Sequence, residues 1–241
     1  MNFNQGEIFA INKPYGMTSF GALARVRKLI SVRLGVKRVK IGHAGTLDPL
    51  ATGVLVLCTG RATKRIEELQ RHDKEYTATL QLGATTPSYD MEHEVNATYP
   101  TDGITLPAIE RALAMFVGDI DQVPPTYSAC KVNGVRSYDL RRNGMDVELA
   151  AKRVRIDAID IIEFDESAMR LSIRVSCGKG TYIRALARDI GRALGTGAYL
   201  TSLCRTKAGD FSVANSIALD DFPQWLQGQE IETDIETPTH K

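Results

Sequence analysis

Apolar and polar residues alternate along parts of the chain and recur at helical spacing along others. Residues 76–82 and 171–177 place apolar side chains at every second position, which predicts strands with one buried face. Apolar residues recur every three or four positions after Thr18 and Ser19, either of which can cap a helix that runs to about Ile30. The same criteria predict further strands at 8–11, 54–57 and 199–206, a hairpin formed by 153–164 and 169–177, and helices at 62–69, 105–117 and 182–194.

The order of these elements favours one fold class. Strands and helices do not alternate regularly and hairpins are present, so the pattern predicts an α+β fold with a mostly antiparallel mixed sheet flanked by helices and loops. Residues 84–104 contain Pro, Ser, Asp, Asn and Gly with little periodicity, which indicates a long loop. A loop of that length within a compact domain is usually functional.

The composition is that of a globular protein rather than of a disordered or membrane-spanning one. Of 241 residues, 43% are hydrophobic and 24% are charged, which suffices for a buried core. The N-terminus lacks the basic and apolar regions of a signal peptide, and no stretch reaches the roughly 20 apolar residues of a membrane helix. The four cysteines show no spacing typical of disulfides or zinc. We therefore expect a cytoplasmic protein without membrane contact.

Charge is unevenly distributed along the chain, although the net charge is only +1. The segment 220–241 contains six acidic residues and one lysine, whereas 21–41 contains seven cationic residues and no acidic one. Such a basic stretch can neutralise the phosphates of a nucleic acid. A solvated helix face followed by a loop is the more ordinary explanation, so the stretch does not identify a function by itself.

The segment 42–57, GHAGTLDPLATGVLVL, carries the clearest candidate chemistry. Its glycines permit tight turns, while Pro49 disfavours helix at Asp48 and stiffens the loop. The apolar strand at 54–57 would anchor that loop, so the carboxylate is held against a rigid sheet, as a positioned catalytic group requires. An aspartate that hydrogen-bonds its own turn explains Asp48 without any chemistry. The segment lacks the GxxxxGK[ST] and GxGxxG patterns of phosphate-binding loops.

The wider sequence resembles the TruB family of tRNA pseudouridine synthases over roughly residues 7–210. The stretch 42–57 is similar to the family's GH-x-G-x-LDP-x-A-x-G-x-L motif. The resemblance implies the pseudouridine synthase fold, with an RNA-binding thumb insertion at about 121–152. Four more segments match in the family's order, namely INKPYGMTS at 11–19, KEYTATLQLG at 74–83, VPPTYSACKVNGVRSYDLRRNG at 123–144 and GTYIR at 180–184.

The resemblance also implies roles for individual residues. Asp48 would be the catalytic aspartate and Arg184 the cation that pairs with it. Tyr76 would be the active-site tyrosine, which can stack on the target base or also accept a proton. His43 would lie beside the flipped nucleotide. Without the resemblance, Tyr76 is explained as a core residue of a strand and Arg184 as a surface arginine of a helix. The other substrate-binding residues that the resemblance implies are Lys13, Lys131, Arg141, Arg142, Tyr182 and Leu203.

Pseudouridine formation constrains the chemistry that these residues must perform. The reaction breaks the N1–C1′ bond of uridine, rotates the base and joins C5 to C1′, so it needs no cofactor. We also expect no metal, because His72, His93 and His240 show no ligand spacing with His43. The nucleotide must be flipped out of its stack to be reached. Asp48 must be ionised to act as a nucleophile at the sugar or as a base toward a ribose proton, and the sequence leaves both open.

The resemblance further implies a domain division and a substrate. We expect a catalytic domain at 1–212 and a short acidic tail at 213–241, with the accessory RNA-binding domain of PUA type absent or vestigial. The implied substrate is uridine 55 in the T loop of tRNA, bound through the T arm by a monomer without a guide RNA. Three alternatives stay open: a non-catalytic RNA-binding or RNA-folding module of the same fold, a pseudouridine synthase for another RNA, and a glycosidase, for which no second carboxylate is evident.

Overall fold

Residues of the chain's two ends belong to one structural unit, and the residues between them form a second. A computed structural model describes residues 1–125, 127, 131–132, 135–136 and 149–232. The terminal unit comprises Met1–His72 together with the chain from Arg205 on, and the central unit comprises Asp73–Cys204. The side chains of Lys131, Arg141 and Arg142, which were predicted to bind RNA, lie outside the described residues, as does much of the predicted thumb insertion.

Short and long strands occur in both units. In chain order they are β1 Ile8–Lys13, β2 Ile41–His43, β3 Thr52–Thr59, β4 Lys74–Leu82, β5 Ala84–Thr85, β6 Ala97–Thr98, β7 Gly118–Gln122, β8 Lys131–Val132, β9 Val135–Arg136, β10 Lys152–Asp165, β11 Arg170–Cys177, β12 Ala198–Ala208, β13 Phe211–Ser212 and β14 Ile217–Ala218.

Helices of one to four turns connect these strands. They are α1 Ser19–Leu34, α2 Ile66–Leu69, α3 Leu106–Ala114, α4 Ile183–Ala193 and α5 Phe222–Gln227, with 3₁₀ turns at Gly60–Arg65 and Val213–Asn215. Within the described part of the chain, no helix has the length and apolar character that crossing a bilayer requires.

The sheet of the terminal unit forms around β1 and β3. Strand β1 runs antiparallel to β3, with Lys13 opposite Gly53, and parallel to β14. Strand β2 also pairs with β3, and places His43 opposite Leu57. The last residues of β12 pair with β13. Because β2 and β3 are antiparallel partners, residues 44–51 between them form a loop at the end of this sheet.

Apolar side chains of α1 and α5 cover one face of this sheet. Phe9 on β1 stacks on Phe222 of α5, with ring centroids 5.8 Å apart. Burying a side chain of this size contributes about 1.5–3 kcal/mol, so the cluster fixes α1 against the strands. Its buried members include Phe9, Ile11, Val26, Ile30, Leu55, Leu57, Phe222 and Leu226.

In the central unit, the strands pair in the order β4-β11-β10-β7, and each neighbouring pair is antiparallel. Tyr76 on β4 lies opposite Val175 on β11. Alternate residues of β4 and β11 are buried, as the period of two in a strand requires. Helix α4 packs against β4 and α3. Its buried apolar side chains are Ile183, Ala185, Leu186, Ala187 and Ile190.

The architecture confirms the predicted α+β class with mostly antiparallel strands, and the parallel pair β1–β14 makes the pairing mixed. Thr18 caps α1 as predicted, because its hydroxyl accepts a hydrogen bond from the Gly21 N–H (2.9 Å). The helix continues to Leu34 rather than ending near Ile30. It stops where Gly35 adopts a left-handed conformation (φ 64°), a helix ending that glycine favours.

Candidate active site

The loop that carries Asp48 is tightly folded between β2 and β3. The Ala51 N–H donates to the Asp48 carbonyl (3.1 Å), which closes a turn around Pro49. Gly53, where the loop enters β3, has a φ of 99°. A Cβ atom at Gly53 would clash with the carbonyl oxygen of Arg205. Glycine is therefore required there both by the backbone conformation and by the close approach of β12.

Lys13, at the end of β1, is fully buried, and its ammonium group bonds backbone carbonyls. Its Nζ donates to the carbonyls of Pro14 (2.9 Å), Met17 (2.6 Å) and Pro49 (3.2 Å). The Gly16 N–H donates to the same Pro49 carbonyl (2.9 Å). Lys13 therefore ties the turn after β1 to the residue that directly follows Asp48.

Ser19, the first residue of α1, holds the residue that directly precedes Asp48. Its Oγ donates to the Leu47 carbonyl (2.9 Å) and accepts from the Leu47 N–H (2.8 Å). Both bonds are buried, so they are not exposed to competition from bulk water. Because α1 is packed on the sheet, the hydrogen bonds of Ser19 fix the loop that carries Asp48 relative to the sheet.

Arg205, on β12, is a functional candidate that the sequence analysis did not single out. Its guanidinium is buried, with only 2% of the residue exposed. Nε donates to the Val54 carbonyl (2.8 Å) and Nη2 to the Gly45 carbonyl (3.1 Å), while Nη1 makes a longer bond of 3.5 Å to the Thr46 carbonyl. One side chain thus holds the loop on both sides of Asp48.

Burial and charge shift the acid–base behaviour of the groups around this loop. Burial lowers the pKa of Lys13 to about 8; the Asp48 carboxylate opposes the shift and the Arg205 guanidinium adds to it. Burial also lowers the pKa of His43, again with a contribution from Arg205, and the Gly45 backbone opposes that shift. The loop therefore combines one carboxylate, two buried cations and an imidazole biased toward its neutral form.

Other predicted site residues lie in the central unit. Tyr76 is on β4 with 9% of its surface exposed. Tyr182 occupies the position before α4, where its N–H donates to the Gln122 side-chain oxygen (2.8 Å). Leu203 is half-buried on β12. Tyr182 and Arg184 therefore lie at the start of one helix.

Arg184 is buried in the first turn of α4 and bonds the 84–104 loop. Its Nε lies 3.5 Å from Oδ2 of Asp90, and the two side chains are 5% and 10% exposed. Nη1 donates to the Ser88 carbonyl (3.2 Å) and Nη2 to the Tyr127 carbonyl (2.8 Å). Arg184 is therefore not the surface arginine that its position on a helix alone would suggest.

Asp90 is the second functional candidate that the sequence analysis did not name. Its Oδ1 accepts hydrogen bonds from the Ser88 hydroxyl (2.5 Å) and from the Glu92 N–H (3.0 Å). These bonds orient the carboxylate toward Arg184. The only signal for it in the sequence was the expectation that the 84–104 loop is functional.

The predicted residues therefore fall into two groups. Asp48 lies in the loop between β2 and β3 of the terminal unit, and Lys13 and His43 belong to the same unit. The central unit contains Tyr76, Tyr182, Arg184 and Leu203. The ion pair between Asp48 and Arg184 stays a prediction. In the described ranges, no group of three or more His, Cys, Asp or Glu side chains is placed to hold a metal ion.

The sequence is similar to two family models that together span most of the chain. Residues 30–183 match the model described as TruB family pseudouridylate synthase (N terminal domain). Residues 184–236 match the model described as tRNA pseudouridylate synthase B C-terminal domain.

Curated relatives named tRNA pseudouridine synthase B are similar over nearly the full length. The protein of Phocaeicola vulgatus is 57% identical and aligns over 96% of this chain and 98% of its own. That of Flavobacterium johnsoniae is 46% identical over 92% of this chain and 97% of its own. A longer relative from Mycobacterium sp. (strain KMS) is 47% identical, over 89% of this chain and 71% of its own.

Solved structures share the fold over almost the whole chain. The crystal structure of a Cbf5-Nop10-Gar1 complex contains a chain that is 28% identical, with a TM-score of 0.68 over 95% of this chain. An H/ACA RNP bound to a substrate RNA containing 2'-deoxyuridine gives 27% identity and a TM-score of 0.65 over 95% of this chain. The present chain spans only 58% and 57% of those two chains.

Proposed function

Because the chain belongs to the TruB family of pseudouridylate synthases, we propose that it converts uridine to pseudouridine at position 55 in the T loop of tRNA. The named tRNA pseudouridine synthases that align end to end with this chain support tRNA as the substrate. The observation that carries the proposal is the Asp48 loop. Bonds from Lys13, Ser19 and Arg205 fix the backbone on both sides of Asp48, which is the positioning that a reacting carboxylate requires.

The first step is extrusion of the target nucleotide, since the sugar carbon is unreachable within a stacked loop. Flipping costs about a few kcal/mol. Stacking of the base on an aromatic ring returns about 1–3 kcal/mol, and we assign that role to Tyr76. We assign His43, Tyr182 and Leu203 to contacts with the base and its neighbours. A neutral imidazole suits this role for His43, because it can contact a base without an unpaired charge.

The second step breaks the glycosidic bond with the help of Asp48. The carboxylate acts either on C1′ as a nucleophile or on a ribose proton as a base, and the N1–C1′ bond breaks. The detached base rotates and C5 joins C1′, which releases the carboxylate from C1′ or returns the ribose proton. C5 then loses its proton and N1 gains one, so the product is an isomer of uridine. Negative charge moves from the carboxylate in either case. Arg184 supplies the cation for Asp48 in this proposal, and Asp90 holds that guanidinium in place. Arginine suits the task because its fixed fork of five N–H donors can serve more than one oxygen acceptor.

The T arm would be gripped by the thumb insertion at about 121–152, through Lys131, Arg141 and Arg142. We propose a monomer that acts in the cytoplasm without a guide RNA. The division into a catalytic domain at 1–212 and a tail from 213 stays a prediction. Strand β14 and helix α5 lie in the segment after 212, and the second family match extends to residue 236.

The decisive test is conversion of uridine in a tRNA transcript without guide RNA. We expect pseudouridine at one T-loop position, detected by chromatography of the nucleosides, and none in a transcript whose target uridine is cytidine. The variant Asp48→Asn should lose on the order of 10⁴-fold or more in turnover while binding tRNA nearly as well as the wild type. Asp102→Asn, which changes an exposed aspartate, serves as the matched control. Persistence of uridine with the wild-type protein would refute the proposed function.

A further inference from the structure

The C-terminal half of α1 and the turn after it form a shallow basic cleft in the terminal unit. We call it the α1 cleft; its volume is about 480 Å³. Four cationic side chains line it, and none of the lining residues is acidic. These cations are Arg27 and Lys28 on the helix, and Lys37 and Arg38 beyond its end.

The positive charge of the α1 cleft is not balanced by carboxylates. Among the described residues, none of the four cations forms an ion pair, whereas Arg25 on the same helix pairs with Asp220 at 2.8 Å. Arg27 lies over the ring of Phe20, 5.8 Å from its centroid, and that contact leaves its charge unneutralised. Like charges brought together without a partner raise the free energy of the folded protein, so such a cluster favours an anionic ligand.

The helix macrodipole does not account for these four residues. A cation stabilises the C-terminal end of a helix only within its last turn. Arg33 occupies that turn in α1. Arg27 and Lys28 lie earlier in the helix, and Lys37 and Arg38 follow Gly35, which ends it.

Exposed apolar groups lie among the cations. Val32 is 73% exposed and Val36 is 41% exposed, and both line the α1 cleft. A sugar–phosphate backbone presents both kinds of surface, with phosphates for the cations and sugar edges for apolar groups. An isolated inorganic anion would use only the cations, so the mixed lining favours a nucleic-acid strand.

The α1 cleft is separate from the point where the target nucleotide would react. Ser19, at the start of α1, bonds Leu47 next to Asp48. Ser31, in the cleft, lies twelve residues further along the same helix, a distance of about 18 Å at 1.5 Å per residue. A nucleotide bound at Asp48 therefore cannot also fill the cleft.

We propose that the α1 cleft binds the sugar–phosphate backbone of the RNA substrate away from the target uridine, in addition to the contacts proposed for the thumb insertion. This inference rests on the proposed function. The cleft adds affinity and does not take part in the chemistry, because it lies at the opposite end of α1 from Ser19, which bonds the residue next to Asp48. It also gives the basic stretch at 21–41 a defined binding surface.

The experiment compares binding and turnover of full-length tRNA by the full-length protein with three cleft cations neutralised, Lys28→Gln, Lys37→Gln and Arg38→Gln. The control neutralises three exposed arginines of the central unit, Arg111→Gln, Arg170→Gln and Arg192→Gln. We expect the cleft variant to raise Kd on the order of tenfold and to reduce the slope of log Kd against log salt by about one for each phosphate that the variant no longer binds. At saturating tRNA, kcat should stay unchanged, and the control should bind like the wild type.

Three results would overturn the inference. They are an unchanged Kd and salt slope in the cleft variant, an equal loss of affinity in the control variant, and a fall in kcat at saturating tRNA. Wild-type protein that leaves uridine unconverted would instead refute the proposed function, so the two failures are distinguishable. Thermal unfolding of both variants checks that these exposed substitutions leave the fold intact.

Discussion

Buried cations are accommodated differently in the two units. In the terminal unit, the charged groups of Lys13 and Arg205 donate to backbone carbonyls. In the central unit, Arg184 donates to two carbonyls but also lies beside the Asp90 carboxylate. A carbonyl oxygen accepts a hydrogen bond from the cation but leaves its charge unneutralised. A carboxylate oxygen accepts the hydrogen bond and also neutralises the charge.

This difference separates two structural tasks. A cation that bonds several carbonyls fixes the path of a backbone, and in the terminal unit that backbone is the loop around Asp48. A cation that pairs with a carboxylate has its own side chain held in one orientation. Arg184 needs such an orientation if it is also to pair with a second carboxylate, that of Asp48. Substitutions should therefore disturb loop position in one unit and side-chain orientation in the other.

Among the substitutions that test this difference between the units, the largest effect is expected for Arg205→Met, which keeps much of the side-chain volume and removes the donors. The carbonyls of Gly45 and Val54 would lose their bonds to Arg205, at about 1–3 kcal/mol each in the free energy of unfolding. A loop displaced by about 1 Å can cost on the order of 100-fold in kcat. Urea unfolding and turnover at saturating tRNA measure the two effects. Arg205→Lys should restore part of kcat, and equal loss in both variants would contradict a positioning role.

A smaller effect is expected for Asp90→Asn, which keeps the shape of the side chain and removes its charge. Bonds of a buried charged pair contribute about 1.5–3 kcal/mol, so the free energy of unfolding should fall by about 2 kcal/mol. We expect kcat to fall about tenfold, because Arg184 would be less firmly oriented. Adding Asp90→Asn to Arg184→Met should cost little more than Arg184→Met alone. Fully additive losses would show that Asp90 does not act through Arg184.

The pH dependence of Lys13 tests the carbonyl-bound cation of the terminal unit directly. The pKa of a lysine side chain is ordinarily 10.5, and that of Lys13 is lowered to about 8. Between these values the unfolded chain binds more protons than the folded one, so this group makes stability rise with pH. The neutral amine donates only two hydrogen bonds, however, so one of three carbonyls loses its donor. We expect kcat to fall about fivefold above pH 8, because losing one hydrogen bond costs about 1 kcal/mol. The variant Lys13→Met should not show this fall in kcat at alkaline pH.

The smallest effect is expected for Ser19→Ala, for which α1 offers a matched control. Ser31 is also buried on α1, and its hydroxyl accepts from the Val39 N–H (3.1 Å), away from the Asp48 loop. Both alanine variants should lose about 1 kcal/mol in the free energy of unfolding. Only Ser19→Ala should lower kcat, by about threefold. A similar fall in kcat for Ser31→Ala would show that the effect is general softening of the helix.

Local patterns predicted most of the elements that carry the candidate site. The Thr18 cap, the hairpin of β10 and β11, and the alternation along β4 all follow from interactions between residues near in sequence or from a simple period. The predicted bounds of the helices were less accurate. Residues 62–69, predicted as one helix, form a 3₁₀ turn followed by the short helix α2.

The two additional site residues could not be predicted in that way. Arg205 bonds Gly45, which lies 160 residues earlier in the chain, and Asp90 pairs with Arg184, which lies 94 residues later (184 − 90). Such partners are set by how strands and loops pack, and no local pattern contains that information. The predicted roles of Asp48 and Arg184 depended on the family resemblance, since an aspartate in a turn or an arginine on a helix has simpler explanations.

The burial of Lys13 also determines how its amine reacts with reagents in solution. Acylating reagents need an uncovered amine, and here the nitrogen is enclosed by three carbonyls. Labelling at this position in native protein therefore requires a local opening of the segment. Its acylation rate, compared with that of exposed Lys28, would report how often the loop beside it detaches.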